Sequence, residues 1–245
     1  MSFVSTKPSN FKIIIKEGKD IEPDSIFITG FHGLGEVGYL SVAHLIRTLE
    51  AERIGFIKSD VMPLFVSVEN GHISLPFELF KYKNFVFLVP RFQPHQAEQW
   101  NFIDELADWL HAKGFRENIL IGGLDVNFRE NEEDTMRGIP TSAAKDKLEK
   151  WNIQLLEEGL FVAGPLALLL AHLEIRNMSA IGLLSYAQRG RPDPRAAATT
   201  LEKLNEMFDM NVDVTQLLDE SKEIEKIEKM KRHYDGGERP SNMYV

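Results

Sequence analysis

Short runs of consecutive apolar residues recur along the chain, separated by longer stretches in which apolar positions return with helical spacing. Continuous runs suit strands buried on both faces, and helical periodicity suits an amphipathic cover, so the pattern predicts an α/β fold, a sheet with helices on its faces. Strands are expected over residues 11–15, 26–29, 53–58, 85–89, 118–121, 160–163 and 180–184. Helices are expected over residues 37–50, 98–113, 141–150, 165–173 and 194–208. The last opens on Asp193-Pro194, a side-chain cap followed by a proline whose missing N–H costs nothing in the first turn. Residues 64–75 alternate and contain Asn70-Gly71, a dipeptide that tolerates positive φ at both central turn positions. A β-hairpin is expected there, which makes the sheet mixed, although mostly parallel.

After Asn211 the pattern changes. Residues 214–234 carry Leu217, Leu218, Ile224, Ile227 and Met230 among dense Glu and Lys, which predicts a charged helix with one narrow apolar stripe. The segment DGGERPSN, residues 235–242, then removes helical propensity with two glycines and a proline and reads as a flexible linker. Beyond it stand Met243, Tyr244 and Val245. An exposed chain end ordinarily drifts toward small polar residues, so three apolar or aromatic ones call for a receiving pocket on a partner. Residues 127–134, NFRENEED, read as an exposed acidic loop.

With 245 residues, 43% of them hydrophobic, the chain has enough material for one sizeable core. A formal net charge of −9 disfavours nucleic acid and anionic membrane as partners. The absence of cysteine removes disulfides, thiolate metal sites and cysteine nucleophiles, and fits a reducing compartment. The N-terminus lacks a basic region followed by an apolar run, and the longest apolar stretch, residues 166–173, is too short to span a bilayer. A soluble, cytoplasmic protein is expected.

The sharpest chemical signal is GFHGLGEVGYL, residues 30–40, set after a predicted strand and opening a predicted helix. Gly33, Gly35 and Gly38 satisfy the spacing of a dinucleotide-binding turn, and Asp60 follows the next strand where a ribose-binding carboxylate belongs. Such a turn exposes N–H groups at a helix N-terminus and forms a natural anion site. Against it, Phe31 and His32 intervene between the strand and the motif, and a tight strand-to-helix turn requires glycines without any ligand. No GK[ST] follows, which excludes a P-loop. The remaining chemistry is sparse. His95 with Glu98 reads as the start of a surface helix, no histidines have metal-ligand spacing, and Ser185 lies in no nucleophile elbow. The pairs Glu157-Glu158 and Glu132-Glu133 sit in charged segments expected to be solvated, with little catalytic value. No catalytic residue, cofactor or metal is assigned.

In order, GFHGLGEVGYL, the hairpin through NGH to LPFELF, VFLV and the helix after it, IGGL, VAGPLALLL and RPDPRAAATTLEKL resemble the archaeal homologues of the proteasome assembly chaperone family, from about Ser25 to Leu218. The resemblance implies a three-layer α/β/α sandwich over residues 1–213, followed by the amphipathic helix 214–234 and a docking tail 235–245. It also implies a non-catalytic homo-oligomer. Some members end in a hydrophobic residue, a tyrosine and any final residue, and Met243, Tyr244 and Val245 match that ending. The ending implies docking into the α-ring of the proteasome core particle and gate opening without ATP. Two alternatives remain open, an assembly chaperone that holds α-ring subunits, and a nucleotide-binding enzyme using residues 33–38.

Overall fold

The computed structural model describes residues 11–59, 66–69, 71–93 and 96–236. In chain order the elements are β1 (Phe11–Ile15), β2 (Ile26–Gly30), α1 (Val37–Thr48), β3 (Glu52–Ser59), β4 (Ser67–Glu69), β5 (His72–Ser74), β6 (Phe77–Tyr82), β7 (Phe85–Pro90), α2 (Gln99–Lys113), β8 (Glu117–Asp125), β9 (Met136–Pro140), α3 (Lys147–Lys150), α4 (Pro165–Ile175), β10 (Ala180–Ala187), α5 (Pro194–Phe208) and α6 (Thr215–Gly236). Eight strands form one sheet in the order β1-β3-β6-β7-β2-β8-β10-β9, while β4 and β5 make a separate hairpin.

The fully buried strands β2, β7 and β10 read in the sequence as unbroken apolar runs because both of their faces are covered. Neighbouring residues point to opposite faces, so Phe27 and Ile28 enter different cores. Ile28, Phe87, Ile119 and Ile121 meet Val37, Val42 and Leu45 of α1, Leu201 and Leu204 of α5, and Leu217 of α6. On the other face Phe27, Val86, Leu88 and Leu120 meet Phe102, Ile103 and Leu106 of α2 and Leu169 and Leu173 of α4. Each such side chain contributes about 1.5–3 kcal/mol by leaving water, and the result is the expected three-layer sandwich.

Parallel pairing is confined to the centre, β7-β2-β8-β10. The other four pairings are antiparallel, so the sheet is not mostly parallel. The cause is connectivity: β6 and β7 are joined through Lys83 and Asn84, and a connection that short permits only a hairpin. The alternating segment forms β4 and β5 with Gly71 at φ 77, while Asn70 lies outside the described residues.

Three further expectations change. No strand forms over residues 160–163. The strand lying beyond β10 is β9, and β9's own outer edge is already taken at Gly138, which bonds Gln154 and Leu156. The expected helix over residues 141–150 is only a 3-10 turn at Ser142–Ala144 and the single turn α3, because Ala144 and Leu148 supply too short an apolar face to fix more. Finally, α6 continues through Gly236 and takes up the first two residues of the expected linker.

Candidate functional site

The parallel strands β2, β7, β8 and β10 open their carboxyl ends on one edge, where sheets of this kind gather their ligand-binding loops. The glycine turn lies there. A Cβ on Gly38 would stand 2.5 Å from the Ile121 carbonyl oxygen, and one on Gly30 only 2.4 Å from the Gly38 Cα, so α1 crosses β2 backbone to backbone. Gly35 has φ 63 and its carbonyl accepts the Asp193 N–H at 2.8 Å. Gly33 is extended at φ −159, with open space around it. Two of the three motif glycines are therefore required by packing, without a nucleotide. His32 donates from Nε2 to the Arg91 carbonyl at 2.9 Å and stacks on Tyr39. Asp60 lies outside the described residues.

Beside the turn is a cleft of about 370 Å³, walled by Phe31, Leu34, Leu124, Phe128, Phe161 and Leu166. Its rim is apolar and open to water: Phe161 is 83% exposed and Phe128 49%. The polar side chains lining the cleft are His32, Asp125 and Arg189, and the last two pair with each other. The Asn127 N–H, 2.9 Å from Asp125, and the Arg189 guanidinium hold the Asp125 carboxyl below the usual range. On β9 the Arg137 guanidinium, almost fully buried, reaches Glu157 at 2.6 Å and Asp134 at 3.1 Å and lies over the Tyr186 ring. Burial alone would lower the Arg137 pKa, and the two carboxylates outweigh it and raise it. Glu157 is thus not a free, solvated carboxylate. A charge set inside an apolar run, Arg137 in MRGIP or Glu78 in FELF, was the available signal for such pairs.

A larger groove of about 950 Å³ separates α1 from the β4–β5 hairpin. Beneath it buried Glu78 binds Arg53 at 2.7 Å and Arg91 at 3.1 Å, and Arg91 also binds Glu69 at 2.6 Å. The hairpin turns Val68 and Ile73 outward.

The direction of α6 bears on the chain end. Helix α5 leaves the carboxyl edge after β10, and α6 returns beside it, beginning near His44, whose Nε2 bonds the Asp213 carbonyl at 2.6 Å. It passes the start of α5 at Arg195–Glu225, 3.1 Å, and Arg191–Glu228, 2.8 Å. The turns from Glu228 to Gly236 carry it about 12 Å further, beyond the carboxyl edge. Met243, Tyr244 and Val245 lie outside the described residues, as does His95. Glu98 stands at the N-terminus of α2, and Ser185 is buried with its hydroxyl 2.6 Å from that of Thr200. Among the described residues no three His, Asp or Glu side chains are grouped to hold a metal ion, and no helix is long and apolar enough to cross a membrane.

Residues 27–231 match the PAC2 family. The chain belongs to the PAC2 family. Its relatives include the uncharacterized protein MJ0106 of Methanocaldococcus jannaschii, 28% identical over 82% of each chain. The fold of Pyrococcus furiosus PbaA, described as an archaeal homolog of proteasome-assembly chaperone, superposes with a TM-score of 0.79 at 25% identity, covering 93% of this chain and 92% of that one. Pyrococcus furiosus PbaB, described as an archaeal proteasome activator, gives a TM-score of 0.75 at 24% identity, covering 92% and 100%. The PAC2 match agrees with the resemblance read from the ordered motifs, and these neighbours share the mixed, helix-covered sheet.

Proposed function

We propose that this PAC2 protein is an ATP-independent activator of the proteasome core particle, a non-catalytic homo-oligomer that inserts Met243, Tyr244 and Val245 into pockets of the α-ring and opens the substrate gate. The observation that carries the reading is the chain end itself, a hydrophobic residue, a tyrosine and a final residue beyond a long charged helix. The fold shared with PbaB, described as an activator, supports it. The terminal carboxylate pairs with a cation of the ring, Tyr244 supplies apolar area and a hydroxyl, and Met243 fills adjoining apolar space. One tail binds weakly, and several on one oligomer raise the effective concentration of each later contact. The test is peptide hydrolysis by purified core particles with the full chain and with a chain lacking Met243, Tyr244 and Val245. Stimulation is expected only with the full chain, and equal stimulation by both sinks the proposal.

The likeness to PbaA favours a second reading, an assembly chaperone for α-ring subunits. It is supported if the tail deletion abolishes binding to free α-subunits and the full chain leaves hydrolysis unstimulated. The rival enzyme reading, a nucleotide at residues 33–38, is tested by thermal shift with nucleotides and dinucleotides. Gly33→Asp is the suitable control, because Gly35→Asp would force a Cβ to 2.6 Å from Ala187 and unsettle the turn by itself.

A further inference from the structure

We infer that the cleft between Phe128 and Phe161 is a second docking surface for the protein that receives the tail, and that its occupant is an apolar side chain flanked by basic groups on that protein's surface. This rests on the reading that the tail enters a partner. Reach limits where the partner can stand. Residues 237–245 span at most about 30 Å when fully extended. Helix α6 already overhangs the carboxyl edge by about 12 Å. The nine residues of β8 make the sheet about 30 Å tall, so a tail turned back toward the amino edge would have to cover about 40 Å. Its reach falls short. A protein holding Val245 is therefore kept from the amino edge, whereas the carboxyl edge, where the cleft opens, lies within reach.

The surface found there suits a protein contact. Phe161 is 83% exposed beside a preformed apolar hollow, and Phe128 stands across it, half-exposed. An exposed aromatic rim around a concave apolar wall is the anatomy of a protein contact, since covering it releases water from both rings. Arg189 is committed to Asp125, whereas the loop continuing from Phe128 exposes Glu130, Glu132 and Glu133. That loop, which follows Phe128 beside the cleft, carries net negative charge even with Arg129 counted, and so favours a basic partner surface and speeds its approach. The same preference for cations suits the tail carboxylate.

The experiment measures the affinity of the full-length protein for proteasome core particles by biolayer interferometry, together with oligomer mass and melting temperature. Variants are Phe161→Glu, Phe161→Leu, the triple Glu130→Gln, Glu132→Gln and Glu133→Gln, and the tail deletion. Phe161→Glu is expected to weaken binding about tenfold with unchanged mass and melting, Phe161→Leu to retain most of the affinity, and the triple variant to flatten the salt dependence. Unchanged affinity in Phe161→Glu overturns the inference, as does a changed oligomer mass, which would assign the cleft to a second copy of this chain. If tail deletion abolishes binding while Phe161→Glu does not, only the cleft fails. If binding survives tail deletion and is lost in Phe161→Glu, the cleft stands and the tail reading fails. No binding by the full chain overturns both.

Discussion

Replacing Gly38 with alanine tests whether the glycine turn exists for packing or for a ligand. The new methyl would stand 2.5 Å from the Ile121 carbonyl oxygen and 2.8 Å from the Gly30 carbonyl carbon. Both are backbone atoms, so no rotamer change relieves the clash, and α1 must move away from β2 and β8 by about 1 Å to restore ordinary contact. That movement loosens the packing of Val37, Val42 and Leu45, all fully buried, against the sheet. Overpacking of this kind costs typically about 1–3 kcal/mol, and an unrelieved backbone clash belongs at the upper end. At about 2–4 °C per kcal/mol for a chain of this size, the melting temperature should fall by about 6–12 °C. Gly33→Ala is the internal control: its methyl meets only the Phe31 oxygen, at 4.0 Å, on extended backbone. It should stay within about 0.5 kcal/mol of the parent. Thermal melts followed by circular dichroism measure both. A Gly38→Ala protein melting with the parent would refute the packing argument and return the turn to the nucleotide hypothesis.

Arg137→Met leaves the Glu157 and Asp134 carboxylates without their cation and should cost about 3–5 kcal/mol in urea unfolding; a loss below about 1 kcal/mol would show the cluster to be well solvated. Asp193→Ala removes the acceptor of the Ala196 and Gln188 N–H groups and should cost about 1–2 kcal/mol, with Asp193→Asn recovering much of it in the same assay. His172 is buried near Asp104, Asp108 and Arg176, and burial pushes its pKa below the ordinary value against the pull of Asp104. The unfolded chain then takes the proton first, so the stability from neutral His172 is full above about pH 6.5 and is lost as pH falls through the lower folded-state value. The urea midpoint should drop between pH 7.5 and 5.5, and drop less in His172→Gln; equal drops contradict the assignment.

The strands β2, β7, β8 and β10 and the helices α1, α2, α4 and α5 were legible because burial dictates residue type in a local pattern. What failed depended on partners distant in the chain. The run Leu160-Phe161-Val162-Ala163 has strand-like composition, but apolar residues also wall a cleft, and whether a sheet edge is free nearby is not a local property. MRGIP looked unlike a strand because its Arg137 answers to Glu157 and its Gly138 makes room for Leu148 and Ile153. The glycine motif was legible as a turn, and its meaning was not, since the atoms that crowd Gly38 come from β8. The cleft itself could not be read at all, because Phe31, Phe128 and Phe161 come from three separate segments.

The carboxyl edge of a parallel sheet holds polar substrates in many enzymes by presenting polar groups that a ligand completes. Here those groups largely complete one another. Asp125 takes Arg189, Glu157 and Asp134 take Arg137, and Glu78 and Glu69 take Arg91. A small polar substrate binding at Arg137 or at Glu78 would have to break these pairs and leave a buried charge uncompensated, which is costly. Exposed apolar area here includes Phe128, Phe161, Val68 and Ile73, and α6 also projects beyond the carboxyl edge. Area of that kind discriminates poorly among small polar molecules, and it gains most from covering by another protein, which displaces water over many contacts at once.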